Sequence, residues 1–465
     1  MPDTLANRRV TVLGLGRFGG GVEVARWLCR QGAVVTVTDQ QGADALAESA
    51  AKLDGLDVTF KLGGHDAADF RGADLVVASP AVPPTSDMLE VAREAGVPVT
   101  TEIRLLVERL PTKLVFGVTG TKGKSTTAAL LAKMLGAWKP LAKEKAERVR
   151  ATRSSLIDLA EARPRKVWLG GNLGGSLLND LEHMSERDFV VLELSSYMLH
   201  HLGVAGWSPH VALVTMVGVD HLAWHGGEAA YLEAKQNIVR FQGEGDFAVL
   251  PSFSKPGRAF KQHTAAQVVE YGKRAHLPEA FAPQLPGKHN RLNERGAYMA
   301  ASLVGVYPDD AAWEVVEFTG LPHRLELVMT DERDVRWVND SIATIPAAAA
   351  AACEAFESGK VIQIVGGSDK GLDTTDMAKT LADRCRAVLC IGATGPAVAD
   401  QIGSKAIICG DLSTAVAKAY DLAQEADVVL LSPGFASYDQ FANFEQRGEL
   451  FTTEARRALS TETTD

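Results

Sequence analysis

One run of seven residues, Gly120-Thr121-Lys122-Gly123-Lys124-Ser125-Thr126, constrains this chain more than any other feature. It follows an apolar stretch at 113–118 and precedes a segment with helical periodicity, so it reads as strand, glycine turn and helix. Such a turn belongs in a parallel α/β layer, where crossover helices cover both faces of the sheet. The same order of signals opens the chain. Arg9–Leu13 reads as a strand, Gly14-Leu15-Gly16-Arg17-Phe18-Gly19 as a turn, and the residues up to Arg30 as a helix. Further strands are expected at 34–38, ending at Asp39, and at 74–78, ending at Ser79. Residues 189–192 and 210–215 continue the second block, and 361–365, 387–391 and 427–431 form a third. The chain has 465 residues, which suits two to four domains.

Composition removes several classes. Hydrophobic residues are 46% and charged residues 23%, which excludes a disordered or fibrous chain. The net charge of −10 argues against nucleic acid as a partner. No run approaches the roughly 18 apolar residues of a membrane span, and Met-Pro-Asp-Thr-Leu leads almost directly into a strand, without a secretory signal. The five cysteines lack metal-like spacing and read as reduced thiols of a cytoplasmic protein. Residues 137–166 stand apart, with nine Lys/Arg against four Asp/Glu, and read as one or two solvated helices inserted at the surface.

The glycine-rich run at 120–126 resembles a phosphate loop. Backbone amides would wrap phosphates, Lys124 would reach the β/γ oxygens and the Ser125 hydroxyl would ligate magnesium. Val118 stands where the common loop has its first glycine, so the loop is a shorter variant. Glu193 ends a strand, where a carboxylate beside a phosphate loop can hold the metal; an exposed strand-end acid is the alternative. His221 falls at an equivalent strand end and offers a second metal contact. Lys235 lies on the next helix and, on sequence physics alone, is a solvated surface charge. Asn290 and Asn293 read either as amides facing a purine and ribose or as helix N-caps. In the first block, the G-x-G-x-x-G turn with Asp39 fits a dinucleotide or a nucleotide-sugar, the carboxylate bonding a ribose hydroxyl.

Together these segments resemble the Mur ligase family. The resemblance rests on the run at 120–126, Leu192-Glu193-Leu194-Ser195-Ser196, Asp220-His221-Leu222, Asn339-Asp340-Ser341 and Gly366-Gly367-Ser368-Asp369-Lys370-Gly371. Most specific is the tail: Leu431-Ser432-Pro433-Gly434, Ala436-Ser437-Tyr438-Asp439-Gln440-Phe441 and Asn443-Phe444-Glu445-Gln446-Arg447-Gly448. It covers essentially the whole chain outside 137–166. The resemblance implies an α/β protein of three domains. These are a Rossmann-like domain over 1–110 that holds UDP, a P-loop-type ATPase domain over 111–321, and a Rossmann-like domain over 322–465 that takes ATP and the incoming amino acid.

The activity it implies is ATP-dependent addition of D-glutamate to UDP-N-acetylmuramoyl-L-alanine through an acyl-phosphate, in the cytoplasm and by a monomer. By motif matching, Gly120, Thr121, Lys122, Gly123, Lys124, Ser125, Thr126, Asn290, Asn293, Arg324 and Asp340 take ATP. Ser125, Glu193, His221 and a carbamylated Lys235 hold Mg2+, and Lys124, Glu193, His221 and Lys235 form the catalytic set. Arg17, Phe18, Asp39, Ser79 and Asn172 match the nucleotide-sugar side, and Thr344, Lys370, Ser437, Tyr438 and Phe444 the glutamate side. Several positions depart from the family pattern, among them Met216-Val217-Gly218-Val219, which replaces a more polar stretch containing Asn. Met198 replaces an amide that faces the nucleotide substrate, and Ile342 replaces a lysine of some members, leaving Lys370 as the principal cation there. Other readings are a ligase for L-glutamate or another amino acid, a folylpolyglutamate-synthase-like ligase, an NAD-dependent dehydrogenase, and a nucleotide-binding relative without catalysis. The dehydrogenase reading leaves the run at 120–126 without purpose.

Overall fold

The computed structural model describes residues 4–16, 19–140, 165–272, 285, 288–318, 320–369 and 371–460. Arg17, Phe18, Lys370 and most of the basic segment lie outside these residues. The chain divides into two compact units, Met1–Ala280 with Leu292–Glu314, and Phe281–Arg291 with Val315–Asp465.

The first unit holds two parallel sheets. In one, β1 (Arg9–Leu13), β2 (Val34–Asp39), β3 (Val58–Leu62), β4 (Leu75–Ala78) and β5 (Val99–Thr101) lie in the order β3-β2-β1-β4-β5. In the other, β6 (Val115–Thr119), β7 (Val167–Gly171), β8 (Phe189–Glu193), β9 (Val211–Val214), β10 (Phe247–Pro251) and β11 (Gln267–Tyr271) lie in the order β11-β10-β9-β6-β8-β7. Strands β6, β8, β9 and β10 are buried along their full length, as continuous apolar runs in a covered parallel sheet should be. One hydrophobic core joins the two sheets, from Val12, Val37 and Leu75 through Leu105 to Val190, Leu192 and Ala212.

Both glycine turns sit where strand order reverses. β1 pairs with β2 on one side and β4 on the other, and β6 lies between β9 and β8. At such a switch point the flanking loops diverge and leave a crevice at the carboxyl ends of the strands, where α/β sheets bind ligands. The run at 120–126 enters the helix Lys124–Gly136 directly from the β6 crevice.

The second unit carries β12 (Glu326–Thr330), β13 (Arg336–Asn339), β14 (Val361–Gly366), β15 (Cys385–Ile391), β16 (Ala406–Gly410) and β17 (Val428–Leu431), ordered β12-β13-β17-β14-β15-β16. All pairs are parallel except β12 with β13. Separate cores cover its two faces, one around Cys353, Val388 and Phe435, the other around Trp337, Leu389 and Phe451.

The expected α/β architecture with three parallel-type sheets is thus present. Strands absent from the sequence reading are mostly short or lie at edges. β3 and β16 are partly exposed, β3 lacks an apolar run, and β7 ends in Gly170-Gly171. No described helix is long and apolar enough to cross a membrane.

Candidate active site

The phosphate-loop candidate is built by close backbone approach. Gly120 has φ +156°, and a Cβ there would lie 1.9 Å from Thr215 Oγ1. Gly123 has φ +87°, caps the helix Lys124–Gly136, and a Cβ would lie 2.3 Å from Asn293 Oδ1. Only glycine meets both demands. The amides of Thr121 and Lys122 donate to the Met216 carbonyl at 2.7 and 3.3 Å, and the Thr215 hydroxyl lies 2.8 Å from the Lys122 carbonyl. Lys124 Nζ donates to the Thr121 carbonyl at 3.2 Å, while Ser125 and Thr126 are buried in the first helical turn. Gly123→Ala is expected to destabilise the protein by about 1–3 kcal/mol, since the left-handed backbone and the Asn293 contact both resist a methyl group. A lowered thermal midpoint together with weakened ATP binding checks this.

Glu193 ends β8 beside Val118 of β6 and is only 1% exposed. Asn172 Nδ2 donates to its Oε1 at 2.9 Å, and the Asn172 amide donates to its carbonyl at 2.9 Å. Oε2 is buried with no hydrogen-bond partner among the described residues. The exposed strand-end alternative is therefore set aside. A buried carboxylate oxygen without a donor is costly, and a hard cation bridged to phosphate oxygens is the ligand that would satisfy it.

Lys235, on the helix Glu228–Arg240, corrects the surface-charge reading: it is 2% exposed. Its Nζ donates to the Gly120 carbonyl at 2.7 Å, lies 3.4 Å from Thr119 Oγ1, and sits 4.9 Å from the Tyr231 ring centre. Burial, reinforced by the Lys124 charge and opposed by Asp220 and Glu193, pushes the amine down to about 7. Tyr231, one turn earlier, shares a 2.9 Å hydrogen bond with Thr121 Oγ1, which accepts from the Gly218 amide at 2.8 Å. Tyr231 and Thr215 were not singled out in the sequence, and Met216 only as part of the atypical stretch at 216–219; the i, i+4 spacing of Tyr231 and Lys235 is the signal that marks the first.

His221 is exposed, with φ 51°, its Nε2 3.5 Å from Asp220 Oδ2 and its ring 4.9 Å from that of Tyr197. Among the described residues no three His, Cys, Asp or Glu side chains converge as a ready-made metal site. The proposed set instead mixes Ser125, Glu193, His221 and Lys235, which suits a magnesium ion that draws its remaining ligands from phosphate and water.

At the β1 crevice, Asp39 Oδ2 accepts from the Leu15 and Gly16 amides at 2.9 and 3.1 Å, and Oδ1 from the Gln41 amide at 2.9 Å. This carboxylate shapes the glycine turn itself. Ser79 follows β4, and its Cβ would lie 3.0 Å from one added to Gly14. Asn290 and Asn293 are buried inside the helix Lys288–Ser302, which sets aside the N-cap reading.

In the second unit Asp340 is buried, accepting from the Leu325 amide at 3.1 Å and the Ser432 hydroxyl at 2.7 Å. Burial pushes it up to about 7, against the pull of those donors and of Arg324. Arg324 is partly buried in a bridge with Leu321. Thr344 is partly buried just before the helix Pro346–Glu354, and Ser437 is buried with its carbonyl accepting from the Gln440 and Phe441 amides. Tyr438 is 53% exposed, and the Phe444 carbonyl accepts from the Ser341 hydroxyl at 2.7 Å. Ile342 is partly buried, its amide donating to the His323 carbonyl, while Met198 is buried in the first unit. Arg447, 1% exposed, binds Ser341 through Nε and a terminal nitrogen and the Phe435 carbonyl through the other. It ties together the loops that hold Ser341 and Ser437.

The glycine-cradled loop at a parallel-sheet switch point fits a nucleotide-binding α/β enzyme, and comparison with known proteins gives the family. Residues 8–101 match the Mur ligase MurD-like N-terminal domain, 118–293 the Mur ligase middle domain, and 323–435 the Mur ligase glutamate ligase domain. A UDP-N-acetylmuramoylalanine–D-glutamate ligase of Roseiflexus sp. (strain RS-1) is 39% identical, the match covering 96% of this chain and 98% of the relative. One of the same name from Anaeromyxobacter dehalogenans is 37% identical over 98% of each. Among solved structures, the UDP-N-acetylmuramate-alanine ligase of Thermotoga maritima aligns with TM-score 0.56 at 19% identity, covering 98% of this chain and 100% of that one. The MurF ligase of the same organism, solved with ADP, aligns with TM-score 0.53 at 18% identity over 98% and 100%. The chain belongs to the Mur ligase family, which removes the dehydrogenase reading.

Proposed function

We propose that this chain is an ATP-dependent ligase that adds D-glutamate to UDP-N-acetylmuramoyl-L-alanine, a cytoplasmic step of peptidoglycan precursor synthesis. The observation that carries the reading is the glycine-cradled loop at the β6 switch point, flanked by Lys124, buried Lys235 and the unpartnered oxygen of Glu193. The nearly full-length likeness to relatives of that name supports the choice of substrates.

A carboxylate does not condense with an amine in water, because its leaving group is poor. In the proposed reaction the alanine carboxylate attacks the γ-phosphorus of ATP, the bond to ADP breaks, and an acyl-phosphate forms. The glutamate amine then attacks the acyl carbon, loses a proton, and phosphate leaves. Ser125, Glu193, His221 and carbamylated Lys235 would hold Mg2+, which supplies charge neutralisation between the two anionic reactants. Lys124 adds a fixed cation on the phosphate side. Lys235 in neutral form can add carbon dioxide with loss of a proton, which turns a buried amine into an anion. The amides at the start of the helix Lys124–Gly136 would orient the phosphates, since Met216 takes those of Thr121 and Lys122, and positioning of the reactants contributes within the roughly 7–11 kcal/mol available to proximity.

The test is phosphate release from ATP with Mg2+ and UDP-N-acetylmuramoyl-L-alanine across D- and L-amino acids. Release that requires D-glutamate is the expected result. Release with L-glutamate alone assigns the other stereochemistry, and no release with any amino acid overturns the reading.

A further inference from the structure

Trp224 lies in the short helix Leu222–His225 that follows His221. Its indole N–H donates to the carbonyl of Ala81 at 3.1 Å. Ala81 stands two residues past Ser79, in the loop that leaves β4 at the first sheet's switch point, so this bond joins the β1 crevice to the His221 turn within one compact unit. The ring is fixed from the other side by aromatic neighbours. Tyr197 lies at 4.7 Å, His200 at 5.4 Å and His225 at 4.5 Å between ring centres. Tyr197 in turn touches the His221 ring, and His225 Nε2 lies 2.9 Å from the Ser196 hydroxyl, three residues after Glu193.

The loop at the other end is stiff. It contains Pro80, Pro83 and Pro84, which restrict its backbone. The Val82 amide closes a turn on the Ser79 carbonyl at 3.0 Å, and the Ser86 amide another on Pro83 at 3.0 Å. Pinning a stiff loop at one carbonyl sets its whole direction. Trp224 is half-buried and Ala81 exposed, so the bond meets solvent, but it gives the loop a direction that the aromatic contacts alone do not.

We infer that Trp224 is a positioning residue for the nucleotide-sugar acceptor: it locks the Ser79–Ala81 loop to the His221 turn, so that the end of the acceptor held at the β1 crevice and its reacting carboxyl share one rigid frame. This inference rests on the proposed function for the identity of the acceptor. The mechanical contact itself does not. The loop at 120–126 is pinned by Met216 and Thr215 and not by Trp224, so losing the indole N–H acts first on the Ser79–Ala81 loop and on the acceptor.

Trp224→Phe removes the N–H and keeps an aromatic ring. Ala81→Gly keeps the carbonyl but loosens the loop at an exposed position where folding is not at risk. Steady-state kinetics should show the KM for UDP-N-acetylmuramoyl-L-alanine raised roughly five- to tenfold in Trp224→Phe, the factor for one hydrogen bond, and raised in the same direction by Ala81→Gly. The KM for ATP should stay within about twofold of the parent, a split that a general loss of structure does not produce. Hydrogen exchange should show faster exchange at the Val82 and Ser86 amides in Trp224→Phe. Equal rises in both KM values, or unchanged exchange at those amides, overturn the inference. A parent protein that consumes no ATP with this acceptor defeats the proposed function instead, and the exchange measurement then still decides the contact.

Discussion

Lys235→Ala abolishes turnover, and a small carboxylate such as formate or acetate restores a measurable part of it: that is the largest effect expected from any single change. The reasoning starts from burial. An ammonium ion sealed at the β6 crevice has, among the described residues, one strong acceptor, the Gly120 carbonyl at 2.7 Å, and no carboxylate within bonding distance. Its amine is held at about 7 rather than in the ordinary lysine range. Above that pH the amine is mostly neutral and can add carbon dioxide; below it the ammonium form predominates and cannot. Activity should therefore fall as pH drops through about 7, and added bicarbonate should shift that fall to lower pH. Alanine removes both the bicarbonate response and the activity. Normal turnover by the alanine variant without added carboxylate would falsify the carbamate proposal.

Lys124→Ala is expected to lower kcat on the order of 10²–10³-fold, the usual loss when a preorganised charge aimed at a reacting group is removed. Lys124 opens its helix, and the loop can keep its shape because Met216 and Thr215 fix the backbone. The variant should fold with a thermal midpoint near that of the parent. A kcat within a few-fold of the parent, measured at saturating ATP, would move the phosphate site away from this loop.

Much of this was legible in the chain before any coordinates. Continuous apolar runs marked most of the strands that are buried on both faces, though β10 was passed over, and β1 matches its expected bounds residue for residue. The glycine turns were legible because glycine at a strand–helix junction has few other uses. What escaped was set by tertiary contacts. Lys235 looks like any polar residue of an amphipathic helix, and only the packing of that helix against β6 buries it. The partners of the phosphate loop, Thr215 and Met216, carry no motif; they act through a hydroxyl and a backbone carbonyl, groups that most residues possess. Asp39 was placed correctly at the end of β2, yet its oxygens serve the turn's own amides. The edge strand β3 was missed because its faces meet solvent and the hydrophobic signal weakens, whereas β16 was passed over although Ala406–Cys409 is apolar.

Because the single carbonyl of Met216 receives both the Thr121 and Lys122 amides, the stretch from Val214 to His221 has no slack. One inserted residue there would swing that oxygen out of reach and displace His221 in the same stroke. Gains and losses of sequence across homologous chains should therefore cluster after the helix Lys124–Gly136, where 137–166 lies, and spare these few positions. In a gene library of random insertions, survivors ought to map to the former and leave the latter blank.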